Sequence, residues 1–286
     1  MMKKCFALVL AVIMVFGLTA CGGDDNSKKL TVAISPDFAP MEFVDTSKSG
    51  QDQYVGFDVT LAKFIASEMG KELEIQPMSF DACQAAVQSG SVDMSISGFG
   101  YKEDRAENFN LSDFYYTDGE KSIQTLIVKA DKGGTFKTAE DFANLKVGAQ
   151  VASLQLSYCE KQLPESVEIV QYSDLGTAVE ALRNDAIDAL AVANSNGESI
   201  IASVDGLAKS GFNFEIDEEE GNVILMKKGN DALTAEVNKI LAKALEQELY
   251  LGWYNEAKEL AGISSASEIG YDENGNPITE AESESK

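Results

Sequence analysis

The stretch "FDVTLAKFIASEMGKELEIQPMSFDACQAAVQSGSVDMSIS" (57–97) decides the architecture. Leu61, Phe64, Ile65, Glu68 and Met69 recur at helical spacing and stop at Gly70, so 57–70 is expected to be an α-helix. "LEIQPMS" (73–79) follows as a strand. Asp81 is placed to cap a helix "ACQAAVQSG" (82–90) that Gly90 ends, and "VDMSIS" (92–97) is the next strand. Upstream, "LTVAIS" (30–35) reads as a buried strand. Strand and helix alternating through short connections require a parallel sheet, because consecutive parallel strands need a crossover and the crossover helix covers the sheet.

The same alternation starts afresh after residue 130. Thr138 and Asp141 have the spacing of a capping box ahead of the strand "LKVGA" (145–149). Helix 153–163, strand "VEIVQY" (167–172), helix 174–184 capped by Asp174, and strand "AIDALAV" (186–192) follow. "NVILMKKG" (222–229) and two helices, 231–248 and 250–261, complete the pattern. Two α/β units are expected, with ligand chemistry at the carboxyl ends of their strands.

The two ends of the chain read differently. "MMKK", an apolar run from Phe6 to Phe16, and "LTAC" (18–21) follow the order of an export signal, shorter than the ~20 apolar residues of a membrane span. A cysteine directly after Leu-Thr-Ala resembles the lipobox of bacterial lipoproteins. That resemblance implies a signal peptide over 1–20, a lipid on Cys21 and a tether over 21–29. Residues 265–286 hold six acids, one lysine and little apolar content, the composition of a disordered acidic tail.

Composition removes several function classes. The formal charge is −24, and residues 1–20 carry Lys3 and Lys4 and no acid, so the remainder has 21 basic against 47 acidic residues, or −26. Such a surface repels nucleic acid and anionic headgroups alike, leaving membrane residence to the lipid. The absence of histidine removes Ser-His and Cys-His nucleophile pairs and the commonest zinc ligand, and no motif asks for a cofactor or a metal. Cys83 and Cys159 read as buried small apolar side chains, with a disulfide between them as the alternative.

"FAPMEF" (38–43), "VGFDVTLAKFIA" (55–66), "QSGSVDMSISGFGYKEDRAENFNLSDFYY" (88–116), "LKVGAQVAS" (145–153) and "ALRNDAIDALAV" (181–192) resemble, in order and spacing, the amino-acid-binding extracytoplasmic solute-binding proteins of ABC transporters. The resemblance covers roughly 30–262 and implies a type II two-lobe fold. Each lobe would be a mostly parallel sheet flanked by helices, with 30–116 and 222–264 in the first, 117–221 in the second, and two hinge crossings between them. It also implies an expected monomer, anchored outside the cytoplasm, that captures an amino acid or related small carboxylate and delivers it to permease subunits. A dehydratase-like enzyme on the same scaffold, with Glu120 or Lys121 as its acid or base, and a ligand-presenting sensor are the alternatives.

The resemblance also implies a site. Arg105 stands at the spacing for gripping a carboxylate, where its planar fork meets two oxygens in a bond worth about 1.5–3 kcal/mol. A surface pair with Glu103, Asp104 or Glu107, worth roughly 0–1 kcal/mol, is the plainer alternative. Ser97 ends a strand, and Gly98 and Gly100 let backbone groups approach a ligand without interfering side chains. Phe38 and Phe80 are the aromatic walls, and Ser153 with the amide of Leu154 completes the carboxylate cage at a helix start. Two departures stand against these matches: Gly100 replaces the usual Ser or Thr, and Ala193 replaces the usual Asp, that hold an α-ammonium. Asn194 offers a hydrogen bond without a charge, and Glu120 and Glu198 are other candidates. Tyr115 and Tyr116 are expected to lead into the first hinge, and Trp253 to pack.

Overall fold

The computed structural model describes residues 28–116, 123–216, 221–263, 270–271 and 277–278. Along the first of these segments run β1 (Lys29–Ile34), β2 (Asp37–Phe38), β3 (Glu42–Val44), β4 (Tyr54–Val55), α1 (Phe57–Glu68), β5 (Glu72–Pro77), α2 (Phe80–Ser89), β6 (Met94–Ser95), α3 (Glu103–Asn108) and β7 (Phe109–Leu111). The second segment carries β8 (Gln124–Lys129), β9 (Lys146–Gln150), α4 (Leu154–Gln162), β10 (Glu168–Tyr172), α5 (Leu175–Arg183), β11 (Ala189–Ala193), α6 (Asn194–Ser203) and β12 (Leu207–Asn213). Then come β13 (Leu225–Lys227), α7 (Asp231–Glu246), α8 (Leu249–Leu260), β14 (Gly270–Tyr271) and β15 (Pro277–Ile278).

Two five-stranded sheets result, in the orders β5-β1-β6-β13-β7 and β10-β9-β11-β8-β12. Within each, the three strands joined through helices are parallel, Val32 lying opposite Met94 and Leu190 opposite Gly148, as the crossover argument requires. The strands without such crossovers run the other way: β13 is antiparallel to β6 and β7, and β8 to β11 and β12. The first sheet takes its fourth strand from residues 225–227, after the whole second sheet has been built. A separate small sheet, β2-β3-β4, stands at the end of β1.

Helices cover both faces of each sheet. On the first, Leu61 and Ile65 of α1 pack with Val237 and Leu241 of α7 and Tyr254 of α8 over Val32, Ile34 and Met94, while Cys83 and Val87 of α2 cover the opposite face. Trp253 takes the packing role expected of it, against Phe64 and Tyr250. On the second, Leu156 and Cys159 of α4 face Val147 and Ala149, and Leu182 of α5 with Ile200 of α6 cover Leu190 and Val192. Each such fully buried aliphatic side chain contributes about 1.5–3 kcal/mol of transfer free energy.

Two expectations change in the fold, and the two cysteines keep the buried role expected of them while the disulfide alternative falls away. Asp81 sits inside the first turn of α2; Ser79 occupies the cap position, and its hydroxyl donates to Asp81 at 2.7 Å. Cys83 and Cys159 are free thiols in separate cores, and burial pushes each up to about 12. Between β7 and β13 the chain holds β8, α6 and β12 beyond the elements expected, and within 265–286 β14 and β15, of two residues each, form an antiparallel pair. The export signal, Cys21 and the rest of the acidic tail lie outside the described residues. Among the described residues no helix is long and apolar enough to cross a membrane.

Candidate ligand-binding site

Where the parallel strands end, the two sheets face one cavity. β1 and β2 bring Asp37 and Phe38 to it, β6 leads to Ser97, Gly98 and Gly100, β9 ends at Gln150, and β11 ends at Ala193 with Ser195 just beyond. This is where an open parallel sheet presents ligand groups: amides and carbonyls at strand ends have no further ladder partner, and the connections diverge to leave a crevice. Phe80, Arg105, Ser153, Leu154, Gln124, Gln155, Tyr116 and Asn222 complete much of the wall.

Arg105 points inward, with 3% of its surface exposed. Its guanidinium donates to Gly100 O at 2.5 Å and, across the cavity rim, to Ala152 O at 2.8 Å, while Nε has no hydrogen-bond partner among the described residues. The rings of Phe80 and Phe99, stacked at 4.5 Å, carry its charge at 5.6 and 5.3 Å from their centroids. Among the described residues no carboxylate lies within salt-bridge distance of it, so the surface pairing with Glu103, Asp104 or Glu107 does not occur. Burial disfavours the charged form and lowers the group to about 10, which leaves it cationic at neutral pH. A buried cation held by carbonyls and rings, with no counter-ion, is arranged to accept an anion.

The backbone beside it is held from beneath by two acids. Ser97 Oγ donates to Glu42 Oε1 at 2.5 Å and accepts from Ser35 N at 2.9 Å; Gly98 N and Tyr115 Oη both donate to Asp58 Oδ2, at 2.7 and 3.0 Å. Glu42 and Asp58 are fully buried, and neither Glu42 Oε2 nor Asp58 Oδ1 meets an N–H or O–H from another residue. The two carboxyls interact with each other, and a proton on Glu42 is the form that their closeness favours. Burial, then the charge of Asp58, raises Glu42 well above the usual carboxylate range; burial also lifts Asp58 to about 6 against the opposing Gly98 and Tyr115 bonds. Gly98 is required here for its positive φ of 55°, and a Cβ on it would strike the Phe38 ring at 2.7 Å.

Eight of the nine candidate side chains and backbone positions therefore converge: Phe38, Phe80, Ser97, Gly98, Gly100, Arg105, Ser153 and Leu154 all line the cavity. Their roles differ from expectation in detail. The Gly98 amide is spent on Asp58, and a Cβ on Gly100 would come within 3.2 Å of Leu154 from the opposite sheet. Ser153 caps α4 by accepting from Leu156 N, leaving the first amides of that helix without intrahelical partners. Asn194 does not line the cavity. Starting α6, its side chain turns to the outside, where it accepts from Lys209 at 2.7 Å and donates to Glu198 at 3.1 Å. Glu198 is likewise paired with Lys209, and Glu120 and Lys121 lie outside the described residues.

Sequence reasoning missed Asp37, Gln124, Gln150, Gln155, Ser195 and Asn222 on this wall. For Asp37 a signal existed: it directly precedes Phe38 in the turn that leaves β1. Several of these residues close the rim from both sides. Asp37 accepts from Leu175 N and Gln150 Nε2, Asn196 Nδ2 donates to Ala39 O at 3.2 Å, and Lys102 Nζ to Ser157 Oγ at 2.8 Å.

Two α/β sheets that enclose between their strand ends a cavity with an uncompensated guanidinium define a solute-binding protein of the type II periplasmic class. Residues 30–256 match the model of the bacterial extracellular solute-binding proteins, family 3, and the chain belongs to that family. Membership implies an extracytoplasmic location. The chain is 31% identical over 246 residues to the arginine-binding extracellular protein ArtP of Bacillus subtilis, covering 84% of this chain and 92% of that one. It is 29% identical over 247 residues to the L-cystine-binding protein TcyJ of Escherichia coli K12, covering 82% and 87%. Among solved structures it is similar to the amino acid ABC transporter substrate-binding protein AbpA of Streptococcus pneumoniae bound to L-arginine, with a TM-score of 0.76, 34% identity, and 82% and 97% of the two chains covered.

Proposed function

We propose that this chain is the lipid-anchored receptor of an ABC importer, which captures an amino acid or close relative by its carboxylate and delivers it to the permease. The observation that carries the reading is Arg105, buried without a counter-ion and aimed into a cavity shared by both sheets. An incoming carboxylate supplies the missing negative charge and reaches the free amides at the start of α4, so one ligand touches both sides. Closure of the lobes over it, about the region where Tyr116 bridges Asn222, is the working motion. The anchor is the diacylated or triacylated Cys21 expected from "LTAC" (18–21). The names of the relatives, as binding proteins for arginine or cystine, support an amino-acid cargo and give no support to the dehydratase reading.

A thermal-shift screen of the twenty L-amino acids and simple carboxylates tests the reading. A ligand at ~100 times its dissociation constant adds about 2.7 kcal/mol to stability. Stabilisation by one of these that disappears in Arg105→Met supports the carboxylate role; stabilisation that persists in the variant overturns it.

A further inference from the structure

The cavity lacks the acid that the family resemblance leads one to look for: position 193 is alanine, and Asn194 beside it faces outward to Lys209. The hydroxyl expected at 100 is also missing, and a Cβ on Gly100 would come within 3.2 Å of Leu154. Yet among the described lining residues there is one acid, Asp37, and one base, Arg105. Asp37 Oδ1 accepts from Ser35 Oγ at 3.1 Å, and Oδ2 accepts from Leu175 N at 2.7 Å and Gln150 Nε2 at 3.3 Å. All of these donors are neutral. A carboxylate has about four acceptor positions, so room for a further donor remains, and no cation within the described residues compensates its charge.

We propose that Asp37 is the counter-ion for a positively charged group on the ligand, in place of the carboxylate absent at position 193. The inference rests on the carboxylate role of Arg105 and narrows the cargo from any small carboxylate to one carrying both charges. A simple monocarboxylate satisfies Arg105 and leaves Asp37 facing the cavity unpaired; a dicarboxylate sets a second anion against it, which like-charge repulsion disfavours. Because Leu175 and Gln150 belong to the second sheet's side, a ligand held by Asp37 is also tied to the contacts that close the rim.

The test is calorimetric titration of the full chain and of Asp37→Asn with the twenty L-amino acids, then with analogues of the tightest binder that lack its α-amino group or its side-chain cation. Asn keeps the volume and one acceptor; Asp37→Ser is the second variant should the first fail to fold. The expected result is a loss of at least ~30-fold for the tightest amino acid in Asp37→Asn, and less than about threefold for the analogue without the paired cation. Equal weakening of both, which would make Asp37 only a rim contact, overturns the proposal, as does an amino-acid affinity that Asp37→Asn leaves unchanged. Failure of the underlying reading looks different: Arg105→Met then leaves the affinity of every probe unchanged, whatever Asp37→Asn does.

Discussion

The side of the molecule built on the first sheet buries charge in two places far apart in sequence, and treats them in opposite ways. Glu42 and Asp58 are closed inside the protein as neighbours, where burial and their mutual repulsion favour a proton on Glu42, and they are held by Gly98 N, Tyr115 Oη and Ser97 Oγ. Arg105 keeps its full charge against two carbonyls and two rings, with one N–H unpaired. The first arrangement is finished and positions the loop at 97–98. The second is unfinished, and the instability stored in it is what an anion can relieve.

That contrast breaks first at Arg105. Arg105→Met keeps the volume and removes the charge; carboxylate affinity should fall by about 2–5 kcal/mol, roughly 30- to several-thousand-fold, while ligand-free stability in urea stays within ~1 kcal/mol of the original or rises. A large loss of ligand-free stability would mean that Arg105 is a structural group after all. The acid pair should behave in reverse. Asp58→Ala strands the Gly98 amide and the Tyr115 hydroxyl, and unfolding free energy should drop by about 2–4 kcal/mol, read from urea melts without ligand.

pH sharpens the comparison by a smaller amount. Asp58 lies at about 6 in the fold against an ordinary 3.8, and Glu42 is raised well above its ordinary 4.5. The folded state therefore holds more protons than the unfolded chain from about pH 4 upward through these raised values, and this contribution to stability is lost as pH rises through that window. Ligand-free urea midpoints should accordingly increase from about pH 7 to about pH 5. The smallest effect belongs to Glu42→Gln. An amide can accept from Ser97 and donate to Asp58, as the protonated acid does, so its cost at neutral pH should be under ~1 kcal/mol and the pH response should flatten in part. A loss of several kcal/mol would show that Glu42 is ionised in the fold.

Much of the fold was legible because its signals are local. Helical spacing over 57–70, the Thr138 and Asp141 capping box, and Asp174 at the start of α5 each depend on residues within a turn of one another, and each holds. Short elements without such patterns were not legible: β2, β3 and β4 have two or three residues each, and α6 begins at Asn194 with serines and a glycine where periodicity says little. Arg105 was legible through the family resemblance of the stretch that follows the strand end at Ser97. Its counterpart Asp37 was not, because a lone acid after a strand looks like a solvated turn until Leu175 and Gln150 arrive from the other lobe, 138 and 113 residues away.

By itself, the order of residues determined two α/β units, an acidic surface without histidine chemistry, and an arginine shortly after a strand end and a glycine-rich turn. Only the tertiary structure decided which charges are answered from within and which are left for a ligand. Charge compensation depends on distances and burial between segments far apart in the chain, such as Ser97 with Glu42 and Arg105 with Ala152, and those are set when the sheets pack and the lobes meet.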